Sequence, residues 1–314
     1  MDISKNLKYF FILPAALSVL ALLAIGLWGL KPGIDLAGGS LLQVSYTSVA
    51  SSTSARPDMS TVSAAISHLG LGEIRVQPTG TDGYLLRQRD LSNDEKNTLE
   101  SALGTLGAVH EDQFTSVGPI LGAELLQKAW IALLLVTLCI ILFIAFAFRH
   151  VSKPVESWKY GVVAIVTLVH DVLIPTGLFA YLGHVTGAEV DSLFIVALLT
   201  ILGISINDTI VVFDRIRENL GINQERNRHE AFDSVVGRSI MQTLARSINT
   251  SLTVVIVLLA LYFVGPASTH DFSLTLIVGM IAGTYSSIFL AAPLLVVWQQ
   301  WTAAAALKQR ASQK

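Results

Sequence analysis

Three ionisable residues, Asp171, Asp208 and Arg246, stand inside stretches that are otherwise apolar enough to lie in lipid. A charge at membrane depth costs about 3 kcal/mol on insertion scales, so each needs a partner, a water-filled cavity or a task. Ser205, Asp208, Thr209 and Val212 recur at i, i+3, i+4 spacing, which lays a mostly polar stripe along one helical face. Asn207 stands directly before the aspartate. A carboxylate in such a stripe suits proton transfer, because burial of its charge and a nearby cation act on it in opposite senses. A second reading is open: an interfacial aspartate near a helix end, with Phe213 only about five residues on.

Arg246 is the candidate cation. The clean apolar run 252–264 covers only about 20 Å at helical rise. Crossing roughly 30 Å of hydrocarbon requires a helix that starts near residue 245. That draws Arg246, Asn249 and Thr250 into the membrane, with Gln242, Arg246, Asn249 and Thr253 on one face. Asp208 and Arg246 then share a depth in the cytoplasmic third. Either they pair, or Arg246 snorkels to the headgroups.

Asp171 follows His170 and precedes Pro175 by four residues, so the helical hydrogen bond to its carbonyl is lost. A freed carbonyl beside a carboxylate in lipid needs an internal partner or water. Asp171 therefore reads as a proton carrier, or as a supporting node at a kink satisfied by Thr167 or by a neighbouring helix. Gly279, Gly283 and Ser287 form a small-residue row suited to close helix packing. Asp214, Arg215, Arg217 and Glu218 read as the solvated start of a loop, and Asp35, Gly38 and Gly39 as a turn.

The elements that must position these residues follow from composition. The chain has 314 residues, 52% apolar and only 14% charged. An average soluble domain is about a quarter charged, so neither a soluble nor a disordered protein fits. Six apolar stretches reach the roughly 20 residues that a span requires. They lie near 9–30, 125–148, 159–182, 192–213, 244–264 and 272–298. The expected organisation is an N-terminus with the first span (1–30), an extracytoplasmic α+β domain (31–124), spans two to six (125–298) and a tail (299–314). The first apolar run is too long for a signal peptide and lacks a clear A-x-A cleavage site, so it reads as a retained anchor.

Lysine and arginine flank the spans asymmetrically. Lys5, Lys8, Arg149, Lys153, Lys159, Arg215, Arg217, Arg226, Arg228, Arg238, Lys308, Arg310 and Lys314 fall on one side, while loops 183–191 and 265–271 carry none. By the positive-inside rule both termini are cytoplasmic and residues 31–124 face outward.

Within that outer domain, 41–46, 73–78, 83–89 and 108–116 read as strands and 59–69 as a helix. Residues 47–58 read as a Ser/Thr-rich loop. Ser92 with Glu95 forms a capping box that opens a helix to about 103. The order βαββαβ suggests a ferredoxin-like split βαβ unit, a fold that decides no function by itself. His68 and His110 stand isolated.

The residues point away from catalysis. Asp208 lacks the G-x-G context of intramembrane aspartyl proteases. His229-Glu230 does not continue to H-E-x-x-H, and neither G-x-S-x-G nor a P-loop occurs. The single cysteine, Cys139, excludes an internal disulfide or a cysteine-based zinc site. The expectation is a non-enzyme without cofactor or metal. The formal net charge of −2 gives no reason to expect nucleic acid.

Five segments carry a family resemblance: Gly33-Ile34-Asp35-Leu36-Ala37-Gly38-Gly39-Ser40; Val117 to Leu125; Val169-His170-Asp171-Val172; Ser205 to Asn219; and Gln242 to Ser251. Gly283-Thr284-Tyr285-Ser286-Ser287 also fits. In this order, against six spans, the chain resembles the SecF branch of the SecD/SecF protein-export membrane proteins, in the RND superfamily. The resemblance implies a six-span half completed by SecD, working at the SecYEG channel on secreted polypeptides. It implies use of the proton-motive force in the bacterial plasma (inner) membrane, with YajC- and YidC-type proteins as accessory partners. It further implies that Asp208 and Arg246 couple protons, with Asp171, Asn207, Ser205, Thr209, Gln242, Asn249 and Thr250 as a supporting polar track. The alternative is a half-size RND-type exporter of lipids or small molecules. Such exporters usually carry two six-span halves in one chain, so six spans with one outer domain argue for a partner chain.

Overall fold

The computed structural model describes residues 3–47, 56–147, 155–228 and 230–312. The expected loop 47–58 lies mostly outside them. Six helical stretches are long and apolar enough to cross a membrane. They are formed by α1 (Ile3–Trp28), α5 (Pro119–Ala147), α6 (Ser157–Val185), α7 (Ser192–Glu225), α8 (Phe232–Val264) and a last stretch in two parts. Those parts, α9 (His270–Ser286) and α10 (Ala292–Ser312), are joined by a π-helical turn over Ser287–Ala291. One compact unit contains Met1–Lys31, Ile131–Glu189 and Leu193–Lys314.

The centre of this unit is a cluster of buried side chains that includes Tyr160, Val163, Phe213, Ile216, Val236, Ile240 and Leu295. The rings of Tyr160 and Phe213 meet edge to face at 5.2 Å. The small-residue row packs as expected. A side-chain carbon on Gly279 would overlap Ile201 of α7, and one on Gly283 would stand 3.0 Å from Ser205 Cβ. α5 is different: Trp130, Leu134, Leu138, Leu142 and Phe146 are all exposed, which suits a lipid or protein surround.

Spans four and five are longer than hydropathy suggests. α7 does not end near Phe213, and α8 begins well before residue 245. The charges read as a loop start instead pair along the helix, Asp214 with Arg217 at 2.7 Å and Arg215 with Glu218 at 2.8 Å. Beyond them Asn219 Nδ2 donates to Ser239 Oγ and Gln242 Oε1, both at 2.8 Å. Asn223 Nδ2 donates to Glu230 Oε2 at 2.9 Å, and Arg238 pairs with the same carboxylate at 2.9 Å. These polar contacts join α7 and α8 as a hairpin, beside the buried Phe213, Ile216, Val236 and Ile240.

The second unit comprises Pro32–Trp130 with Val190–Ser192. It holds α2 (Ile34–Ala37), β1 (Gly39–Tyr46), α3 (Met59–Ile66), β2 (Arg75–Thr79), β3 (Gly83–Gln88), α4 (Asn93–Gly104) and β4 (Val109–Val117). The four strands pair antiparallel in the order β2-β3-β1-β4, so α3 and α4 each connect strands separated by a third. This is the expected ferredoxin-like split βαβ arrangement, and the whole chain is α-helical in its spans with one α+β domain. Leu42, Val44, Val62, Ile66, Leu86, Leu99 and Leu103 form the domain core. α2 is a single turn where sequence suggests only a bend. His68 and His110 are exposed, in keeping with isolated surface residues.

Two features of this unit have defined chemical causes. Asp35 Oδ2 accepts from the backbone N–H of Ser192 at 3.3 Å and from its hydroxyl at 2.5 Å, so it caps the first residue of α7. Gly39 follows α2 with φ +133, and a side-chain carbon there would lie 2.7 Å from the Gln88 carbonyl oxygen. The Gly38-Gly39 pair is therefore a requirement of sheet entry. Gly39→Ala is expected to destabilise the α+β domain by about 1–3 kcal/mol. Faster hydrogen exchange of β1 and β3 amides in the full chain would report it.

Glu95 completes the capping box, accepting from Ser92 N at 2.9 Å while Ser92 Oγ accepts from Glu95 N at 3.4 Å. Arg89 Nη2 also reaches its Oε1 at 2.5 Å. The Arg89 guanidinium first, and the Ser92 donors second, hold the Glu95 carboxyl down at about 2. A carboxylate with a depressed folded value stabilises above the unfolded value and loses that contribution as pH falls through the folded one. Exchange protection of α4 should be flat above about pH 4.5 and fall toward pH 2. Glu95→Gln should flatten that acid limb, as read by exchange at stepped pH.

Candidate functional site

α6, α7 and α9 bring their polar side chains to one place. Asp171 is fully buried, and its carboxylate has three hydrogen-bond partners. Oδ2 takes the hydroxyls of Ser205 on α7 and of Ser286 on α9, the latter at 2.9 Å. Oδ1 lies 3.0 Å from His170 Nδ1. On the far side of the imidazole, Nε2 lies 2.7 Å from the Tyr285 hydroxyl, with the two rings edge to face at 5.5 Å. One turn along, Thr209 Oγ1 and Ser287 Oγ meet at 2.9 Å. The freed carbonyl before Pro175 is not served by Thr167, whose hydroxyl bonds Val163 O at 2.9 Å. α6 runs through Pro175 without a break.

Asp208 lies on another face of α7. It is 7% exposed and sits beside Ser247 Oγ of α8, outside good hydrogen-bond geometry. Arg246, the residue before Ser247, is within electrostatic reach of the carboxylate, yet among the described residues no ion pair joins the two. Arg246 is exposed on this chain, as are Gln242, Asn249, Thr250 and Asn207. Gln242 is tied at its amide oxygen to Asn219.

The expected track thus divides. Asp171, Ser205 and Thr209 join a closed network with α9. Asp208 stands apart on the α8 side. Arg246, Asn249 and Thr250 form an outward row on α8 that nothing in this chain covers among the described residues. Sequence reasoning missed Tyr285 and Ser286 as participants. The signal was present: four hydroxyl side chains in succession, Thr284-Tyr285-Ser286-Ser287, interrupt an otherwise apolar span.

A geometry of this kind can hold a buried negative charge, accept a proton and change its hydrogen bonding when it does so. The described residues contain no group of three or more metal-ligating side chains.

Comparison with known proteins agrees with the motif resemblance. Residues 98–301 match the family described as "Protein export membrane protein SecD/SecF, C-terminal". The protein translocase subunit SecF of Thermobaculum terrenum is 41% identical over 305 residues, covering 95% of this chain and 94% of that one. The subunit of the same name from Anaerolinea thermophila is 38% identical, covering 92% and 91%. Among solved structures, SecDF of Thermus thermophilus, described as a translocon-associated membrane protein, superposes with a TM-score of 0.80 at 31% identity. That match covers 96% of this chain but 39% of the SecDF chain, so the present chain corresponds to one part of a longer protein. SecDF in a super-membrane-facing form matches at 32% identity and TM-score 0.67, covering 100% and 40%. By its six spans, its split βαβ domain and these matches over nearly its whole length, the chain belongs to the SecF family of protein translocase subunits.

Proposed function

We propose that this chain is the SecF half of a SecD–SecF pair that draws on the proton-motive force to assist polypeptides through the Sec channel. In this reading it lies in the bacterial inner membrane with both termini cytoplasmic, and it couples energy without catalysing a reaction. The observation that carries the proposal is Asp208, a buried carboxylate at span depth without an ion-pair partner among the described residues. Such a group calls for a function by default. The uncovered polar row of Arg246, Asn249 and Thr250 supports a second six-span half, because polar groups facing lipid are costly and seek a protein neighbour.

The proposed step is simple. With Asp208 ionised, its charge and that of Arg246 attract across the α7–α8 contact. A proton arriving from the outer side neutralises Asp208 and removes that attraction. The α7–α8 packing then relaxes to a second arrangement, and the outer domain changes its hold on the emerging chain. One elementary charge crossing 100 mV releases about 2.3 kcal/mol, enough to bias a two-state rearrangement.

The test is polypeptide export into vesicles that carry this chain with SecD and the channel. Asp208→Asn should abolish the part of export driven by an imposed proton gradient and leave the ATP-driven part intact. Unchanged gradient-driven export would remove Asp208 from the mechanism. Asp171→Asn is expected to act on the fold as well. It forces an amide among three donors and should lower stability by about 1–3 kcal/mol, read as reduced thermal stability in detergent.

A further inference from the structure

The mechanism above leaves His170 unused, although it is a buried titratable group at span depth, only 4% exposed. We propose that His170 is a second proton-binding site of this chain, one that forms an imidazolium–carboxylate pair with Asp171 and is sensed by Tyr285. The inference rests on the proton-coupling reading for its purpose, and on geometry alone for its existence.

The hydrogen-bond inventory locates the proton. Asp171 Oδ2 is engaged by Ser205 and Ser286, and Oδ1 by His170 Nδ1. With the carboxylate ionised, Nδ1 carries the hydrogen and donates. Nε2 is then a lone pair, and the Tyr285 hydroxyl donates to it across 2.7 Å. A proton added to either aspartate oxygen would remove the negative charge that strengthens the three bonds to it. A proton added to Nε2 breaks none of them. The proton leaves hydronium as water and bonds to the Nε2 lone pair. Tyr285 then turns its oxygen to accept from Nε2–H and redirects its own hydrogen. The network changes from a lone buried anion to a neutral ion pair, and the α6–α9 contact changes the direction of its hydrogen bond.

The surroundings favour this assignment. On α6 the neighbouring ionisable group is Asp171, and on α9 it is Tyr285. α7 contributes the Ser205 hydroxyl, while its carboxylate, Asp208, is turned to Ser247 of α8. A cavity of about 280 Å³ reaches the imidazole between α1 and α6. Its lining from α1 is Phe11, Pro14, Ala15 and Ser18, and from the π turn Leu290, none of them ionisable. Among the described residues no other cation faces the Asp171 carboxylate, so His170 is the group able to neutralise it.

The test uses the full chain assembled with its SecD partner in lipid nanodiscs, labelled with ¹⁵N at histidine. His170→Asn identifies the signal: asparagine keeps a donor toward Asp171 but has no basic nitrogen. In the wild type that signal should convert from the Nδ1–H tautomer to imidazolium when the sample is acidified. Tyr285→Phe should keep the conversion and move its midpoint, which guards against misfolding of the asparagine variant. Gradient-driven export should be lost in His170→Asn while ATP-driven export persists. A signal that stays neutral throughout, or a His170→Asn variant with wild-type gradient-driven export, overturns the proposal. If wild-type export itself ignores the gradient, the proton-coupling reading fails, and the titration alone decides whether His170 binds a proton.

Discussion

The structure depends on one constraint: a carboxylate fully removed from water must have its lone pairs met by donors within the protein. Asp171 satisfies it with hydroxyls from two other helices and an imidazole from its own. Both hydroxyls stand on short serine side chains, so α6, α7 and α9 must approach closely. Gly279 and Gly283 make that approach sterically possible against Ile201 and Ser205. The polar network and the small-residue row are therefore two sides of one requirement. Enlarging either glycine would draw the hydroxyls away from the carboxylate.

Asp208 follows a different logic. It sits on the same helix as Ser205 and Thr209, but it looks toward α8, where it meets Ser247 and feels Arg246 at a distance. A closed network resists change, whereas an under-satisfied charge responds to its surroundings. α7 thus carries a stable contact on one face and a responsive one on another. Its far end is held to α8 by the Asn219 and Asn223 contacts.

Much of this was legible in the sequence. The spans follow from apolar run lengths, and the split βαβ domain from alternation, turn residues and the Ser92–Glu95 box. The candidate residues stood out as polar groups in lipid-compatible stretches. What was not legible has physical causes. α7 continues past Phe213 with Ile216, Asn219 and Asn223 buried on one side, while Asp214, Arg215, Arg217 and Glu218 pair on its exposed side, so charge density there marks a solvated helix face and not a loop. The partnership of Asp171 with Tyr285 and Ser286 joins residues 115 or so apart in sequence, which helical periodicity within one span cannot reveal. The separation of Asp208 from the Asp171 network depends on the rotation of α7, which tertiary packing decides.

The π turn over Ser287–Ala291 has a consequence for how the last span tolerates change. A π turn holds one residue more than an α-helical turn, and this one begins at Ser287, which reaches Thr209, directly after Ser286, which reaches Asp171. Losing any single residue within the turn would let the helix close into regular α-form. Everything beyond would then rotate by about 100°. Ala292, Leu295 and Val296, all fully buried, would swing out of the core together. The last span is thus intolerant of a one-residue deletion at this point: its length, as well as its composition, is under constraint.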